Sequence, residues 1–198
     1  MTPQQFTAQF REAFGEAAEL PIAIWYDTTA AASYCRVPRC MIGAIRKVCN
    51  GESLTLTAES VQCGGGALYT AFRPMPERVP LFVSETEHYK CTPEMVCDYI
   101  AGLGIELTDK PFLNFVRVDK LKSWEGVESV LFFATPDILS GLCTWAFYDS
   151  NAADTVVTPL CFGLRKCRNL CRNGEPKRRK TLLLGHVRPL GTTSCAKK

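Results

Sequence analysis

An α/β or mixed α+β domain is predicted for residues 1–160 of this 198-residue chain, and three observations predict it. Strand-type segments alternate with helix-type segments, the order that packs helices on a sheet. Threonine–proline pairs at Thr2-Pro3, Thr92-Pro93 and Thr135-Pro136 each stand before an apolar stretch, as an N-cap with proline in the first helical turn. The chain is 46% hydrophobic and 22% charged, globular values that exclude wholesale disorder, collagen and coiled-coil architectures. The length gives one domain plus a tail.

The elements follow in order. Phe6, Phe10, Phe14 and Ala17 form one apolar stripe, predicting a helix over 3–18 ahead of a core at 20–160. Pro21 ends the helix, and Ile22 to Tyr26 is a buried strand. Met41, Ala44, Ile45 and Val48 mark a second helix, stopped by Asn50-Gly51, and Ser53 to Thr57 alternates as a half-buried strand. Ala67 to Phe72 is a short helix, and Pro74, Pro76 and Pro80 mark a loop. Leu81 to Ser84 is read as a strand. Thr92-Pro93-Glu94 starts a helix with Met95, Val96, Tyr99, Ile100 and Leu103 inward and Gly104 as terminator. Phe112 to Val118 and Val130 to Ala134 are strands, Thr135 to Phe147 a helix, and Thr155 to Val157 a last strand.

Charge divides the chain. Residues 1–160 carry 12 Lys+Arg against 19 Asp+Glu, whereas 161–198 carry 11 against the single acid Glu175. Four of the eleven cysteines also fall in those last residues, which predicts a basic, cysteine-rich, disordered tail at 161–198. The richest apolar stretch, Val130 to Tyr148, is interrupted by Pro136, Asp137 and Ser140, so no membrane span is expected. Glu12, Glu16 and Glu19 stand where a secretory signal would be apolar, and a cytoplasmic protein is expected.

The strongest local signal is Cys63-Gly64-Gly65-Gly66 before a helix. Glycines permit positive φ and close approach to a ligand, and a helix start presents N–H groups to an anion. The dinucleotide fingerprint and the phosphate-loop lysine are both lacking. The competing reading is a tight turn packed under another element. Ser84, Glu87, Tyr89 and Lys90 form a polar segment after the expected strand, against a plain solvated loop. His88 is the sole histidine before the tail. Asp137 at a helix start has the simpler role of complementing the helix dipole. Cys35, Cys40 and Cys63 flank loops and are the candidate thiolate ligands for a metal or iron–sulfur cluster, although no pair has zinc-knuckle spacing. Cys97 and Cys143 read as core thiols.

Cys63-Gly64-Gly65-Gly66-Ala67-Leu68-Tyr69-Thr70-Ala71-Phe72 resembles the block Cys-Gly-Gly-Gly-x-x-Tyr-Thr-Gly-Phe of a prokaryotic family, domain of unknown function 169, also called ArCR. Phe82-Val83-Ser84 with Glu87, Tyr89-Lys90 and Thr92-Pro93-Glu94 resembles its second block. Phe133 to Leu142 with Trp145-Ala146 resembles its third. Cys40 precedes Cys63 by close to the separation of two family cysteines. The resemblance covers about residues 20–160, departs at Ala71 where the family has glycine, and implies no established activity.

The family blocks Gly-Ser-Gly-Cys and Gly-(Met/Leu)-Phe-Asp-Pro-Ser-x-Arg-Pro are missing after Pro159. Shifting the reading frame by one base lets Leu184 to Thr193 encode Leu-Gly-Met-Phe-Asp-Pro-Ser-Ala-Arg-Pro, and lets Gly163-Leu164-Arg165 encode Gly-Ser-Gly. The resemblance therefore implies that the chain from about Cys161 is a frameshifted reading with the family's C-terminal part missing. An unbroken frame in both genomic DNA and transcript would rule that out. Loss of a final strand is expected to leave a sheet edge bare. At Lys166 the shifted frame permits only Asn or Ser, which weakens the case for a third thiolate beside Cys40 and Cys63. On this reading the basic run Lys177-Arg178-Arg179-Lys180 is not a selected nucleic-acid patch.

The expected function is small-molecule or anion binding in a pocket of Cys63, Gly64, Gly65, Gly66, Ser84, Glu87, Tyr89, Lys90, Pro136 and Asp137. Lys90 would hold the negative group and Cys63 would serve as a thiolate. The motivation is that each block places glycine or polar residues directly after an expected strand, where α/β sheets seat ligands. The rival classes are a cysteine-ligated metal or iron–sulfur carrier and a non-catalytic interaction module. No particular cofactor is implied.

Overall fold

A computed structural model describes residues 1–33 and 41–148, together with the strand at 181–186. The fold is mixed α+β. β1 (Ile22–Asp27), β2 (Leu54–Leu56), β3 (Phe112–Arg117), β4 (Ser129–Ala134) and β5 (Thr181–His186) form one sheet in the order β2-β3-β1-β4-β5. Every neighbouring pair is antiparallel, so the crevice of a parallel doubly wound sheet is not available as a ligand seat.

Strand alternation sends two residue sets to opposite faces. Ile22 and Ile24 share one face with Leu54, Leu56, Leu113, Phe115 and Leu131, covered by α2 (Met41–Cys49) and α3 (Gly64–Tyr69). Ala23 and Val130 share the other with Phe10 of α1 (Pro3–Phe14), against which α6 (Pro136–Phe147) also packs through Ile138 and Leu142. A third cluster lies behind α3, where Leu68 meets Val83, Val96 and Ile100.

α1 opens on a capping box: Thr2 Oγ1 accepts from the Gln5 amide at 3.2 Å, and the Gln5 side chain accepts from the Thr2 amide at 2.8 Å. It ends at Phe14 rather than near residue 18, because Gly15 takes φ 83°. α2 stops before Asn50-Gly51 as expected. Its last carbonyl is capped by Arg117 at the end of β3, with Nη1 donating to Cys49 O at 2.9 Å, and Lys120 Nζ donates to Gly51 O in the turn that follows.

The strand expected at Leu81 to Ser84 is helical instead. α4 (Val79–Leu81) runs into a π-helical turn, Phe82–Thr86. Pro80, Val83 and Ser84 are buried while Leu81 and Phe82 are exposed, a helical period that a run of four residues does not reveal. In α5 (Pro93–Gly102) Val96 and Ile100 are buried, but Met95, expected inward, is 46% exposed. The strand expected at Thr155 to Val157 lies outside the described residues.

Residues 181–186 fall in the segment expected to be disordered, yet here they form β5. They pair along all of β4, from Ser129 opposite His186 to Ala134 opposite Thr181, so this side of β4 is occupied. Among the described residues, no helix is long and apolar enough to cross a membrane.

Candidate functional site

Cys63 is the N-cap of α3. Its backbone is extended, and its Sγ accepts from the Gly66 amide at 3.4 Å. The three glycines lie in the first helical turn, and none takes the positive φ expected of them. Their role is close packing. A Cβ on Gly66 would sit 3.2 Å from Val61 Cγ1 and 3.3 Å from Met41 Sδ, and one on Gly64 3.3 Å from Pro76 Cγ, whereas one on Gly65 would meet nothing within 4 Å.

The far end of α3 is held tightly. Thr70 Oγ1 donates to Gly66 O at 2.7 Å, and the Phe72 amide reaches back to Ala67 O at 3.0 Å across Ala71, a Schellman-type ending. Ala71 sits at φ 54°, left-handed backbone, which supplies the physical reason for the glycine of the resembling motif. Tyr26 of β1 donates its hydroxyl to Thr70 O at 2.7 Å and so ties α3 to the sheet. Burial, helped by the Glu128 carboxylate, pushes that phenol up to about 12.

A cleft of about 480 Å³ opens beside this helix, bounded by Gly64 and Ala67 on one side and by Arg73, Pro76, Glu77 and Arg78 on the other. Arg73 lies across its rim, donating through Nη2 to Val61 O. The absent side chain at Gly64 keeps the floor open where Pro76 closes in.

The other expected site residues are distributed differently. Ser84 is buried, with Oγ donating to Pro80 O at 2.8 Å, so it braces a helix. Glu87 caps the π-helical turn through its amide on Phe82 O at 2.9 Å. Tyr89 packs in the third cluster with its hydroxyl buried and, among the described residues, without a hydrogen-bond partner. Lys90 Nζ stands 5.3 Å from the Tyr99 ring centroid, a cation–π contact. His88 is exposed at φ 54°. These residues share the layer behind α3. Pro136 and Asp137 are exposed at the start of α6, on the opposite face of the sheet, so the three blocks do not close around one pocket.

Cys35 and Cys40 lie outside the described residues. Among those described, no three His, Cys, Asp or Glu side chains gather as a metal site would require. Cys97, expected in the core, is exposed, and Cys143 is half-buried.

Sequence reasoning missed a buried polar network. Asn114, fully buried in β3, accepts at Oδ1 from the Ala31 amide at 2.9 Å and from Thr55 Oγ1 at 2.8 Å. It donates from Nδ2 to Thr29 O at 3.0 Å. The Ala32 amide donates to Thr55 Oγ1, so two strand side chains clamp the loop that follows β1. The available signal was an asparagine in the middle of the apolar run Phe112 to Val116.

A family model described as the uncharacterised ArCR, domain of unknown function 169, matches residues 13–163. No curated protein and no solved structure matches the chain.

Proposed function

The chain belongs to the ArCR family, and from that premise we propose that it is a cytosolic binding domain for a small molecule carrying an anionic group. The ligand lies in the cleft between the first turn of α3 and the Arg73–Arg78 loop. One observation carries the reading: two arginines, Arg73 and Arg78, line the same cleft as Gly64, the position where a missing Cβ leaves room against Pro76. Guanidinium groups suit planar, two-point recognition of carboxylate or phosphate.

The test uses inorganic phosphate and acetate as probes, titrated into the full chain by calorimetry at two salt concentrations. Arg78→Ala is expected to weaken binding about tenfold, the worth of one charge-assisted hydrogen bond, without changing the melt. Gly64→Ala is expected to block the cleft. Anaerobic expression with metal analysis separates the rival class: stoichiometric iron or zinc lost in Cys63→Ser assigns a thiolate carrier and overturns the anion reading. If neither anion nor metal binds, the interaction module stands.

A further inference from the structure

A second cleft, of about 700 Å³, opens at the end of β2 and the start of β3, a volume within the range of small-molecule sites. It does not share its lining with the arginine cleft. Its walls include the rings of Phe72 and Phe112 and the ring of Pro111. Phe72 is held in place edge-on to Tyr26, ring centroids 6.1 Å apart. Two opposite charges, Glu59 and Lys110, line this cleft and form no ion pair with each other.

The polar groups nearby are already engaged. Ser60 Oγ donates to Thr57 O at 3.0 Å and accepts from the Thr57 amide at 2.8 Å. The Glu59 carboxylate is anchored by its own amide and by the Thr57 hydroxyl, which together with the charge of Arg73 hold it below the usual carboxylate range. Those bonds leave it ionised with lone pairs to spare, since a carboxylate accepts about four hydrogen bonds. A cation and an anion, both exposed and both lining one hollow with Phe72 and Phe112, match a ligand that carries both opposite charges and a flat apolar body.

We propose that this cleft is a binding site for a free α-amino acid with an aromatic side chain. Its ring lies against Phe72 and Phe112, its carboxylate on Lys110 and its ammonium on Glu59. Offset aromatic contact supplies the apolar part, and the carboxylate and ammonium answer Lys110 and Glu59.

The experiment titrates phenylalanine, 3-phenylpropionate and phenethylamine separately into the full chain, followed by calorimetry or heteronuclear NMR. Phenylalanine is expected to bind saturably, and each single-charge analogue about tenfold more weakly. Lys110→Ala is expected to lower phenylalanine to the level of phenethylamine while leaving phenethylamine itself unchanged. Glu59→Gln is expected to do the converse, lowering phenylalanine to the level of 3-phenylpropionate. Both side chains are exposed, and thermal melts of the variants verify that the fold is kept. The proposal is overturned if phenylalanine does not saturate the folded chain, if 3-phenylpropionate binds as tightly as phenylalanine, or if neither substitution weakens phenylalanine. The analogue series and Lys110→Ala leave Arg73 and Arg78 untouched, so those arms let this site and the anion cleft fail or stand separately, whereas Glu59→Gln also removes a charge that Arg73 feels.

Discussion

The two faces of the sheet are covered by helices of different kinds. Beneath α2 and α3, Ile22, Leu56, Leu113, Phe115 and Leu131 are buried together with Ile45, Val48 and Ala67 from the helices. On the other face α6 contributes no buried residue at all. It rests on α1 through half-buried Ile138 and Leu142 and a Trp145–Phe14 contact at 5.1 Å, while Phe147 is 44% exposed. The lesson concerns rigidity. α3 is pinned by glycine packing at one end and by Tyr26 at the other, so a cleft beside it has preset walls. α6 buries no side chain and is held at one close approach, Gly141 against the Phe14 ring, while its exposed Asp137 has no comparable frame.

The sharpest way to break this contrast is truncation on each side. Phe115→Ala, within the closely packed face, is expected to cost about 3–5 kcal/mol in urea unfolding. Trp145→Ala on α6 should cost about 1 kcal/mol, because it deletes one half-exposed aromatic contact. Equal losses would refute the difference. Next in size, Asn114→Ala is expected to destabilise by about 2–3 kcal/mol by stranding the Ala31 amide and the Thr55 hydroxyl in a buried site. Hydrogen exchange of residues 28–33 should rise selectively in that variant.

Within α3 the glycines separate. Gly66→Ala is expected to cost about 1–3 kcal/mol, since Val61 and Met41 must both move, and Gly65→Ala to be neutral or slightly stabilising. Ala71→Gly should raise stability by about 1 kcal/mol by relieving left-handed backbone.

The smallest effects are in pH. The unfolded chain ionises its tyrosines near the ordinary value of about 10, whereas Tyr26 in the folded chain waits until about 12. Its contribution is therefore intact below the unfolded value and lost as pH rises through the folded one. Tyr26→Phe should flatten that alkaline slope in urea melts. The guanidinium of Arg117, at 2.7 Å, holds Asp119 below the usual carboxylate range. That contribution is present above the unfolded carboxylate value and lost as pH falls through the lower folded one, which loosens the cap on α2.

Local chemistry was legible in the sequence wherever a single residue decides it. The three threonine N-caps, the stop at Asn50-Gly51 and the strands Ile22 to Tyr26 and Val130 to Ala134 depend on caps, glycine and dense β-branched or aromatic runs. Leu81 to Ser84 misleads because three apolar residues and a serine fit either period, and Pro80 favours a helical first turn as readily as a loop. The Cys63–Gly66 motif was found but its cause was not. Tight packing against Val61, Met41 and Pro76 is a tertiary fact, and the sequence offers positive φ, approach to a ligand and packing under another element alike without naming the partners. The same limit applies to the Pro136-Asp137 block: sequence order does not reveal which side of an antiparallel sheet a helix will take.

The β4–β5 ladder carries one further implication. Its bonds join amides to carbonyls, groups that every residue except proline supplies alike, so the flank of β4 reads an incoming segment for extension and scarcely for identity. Such an indiscriminate border accepts Thr181–His186 because it is tethered nearby. A neighbouring molecule's stretch at high concentration competes on the same terms, which makes dilution a stabilising variable for this polypeptide.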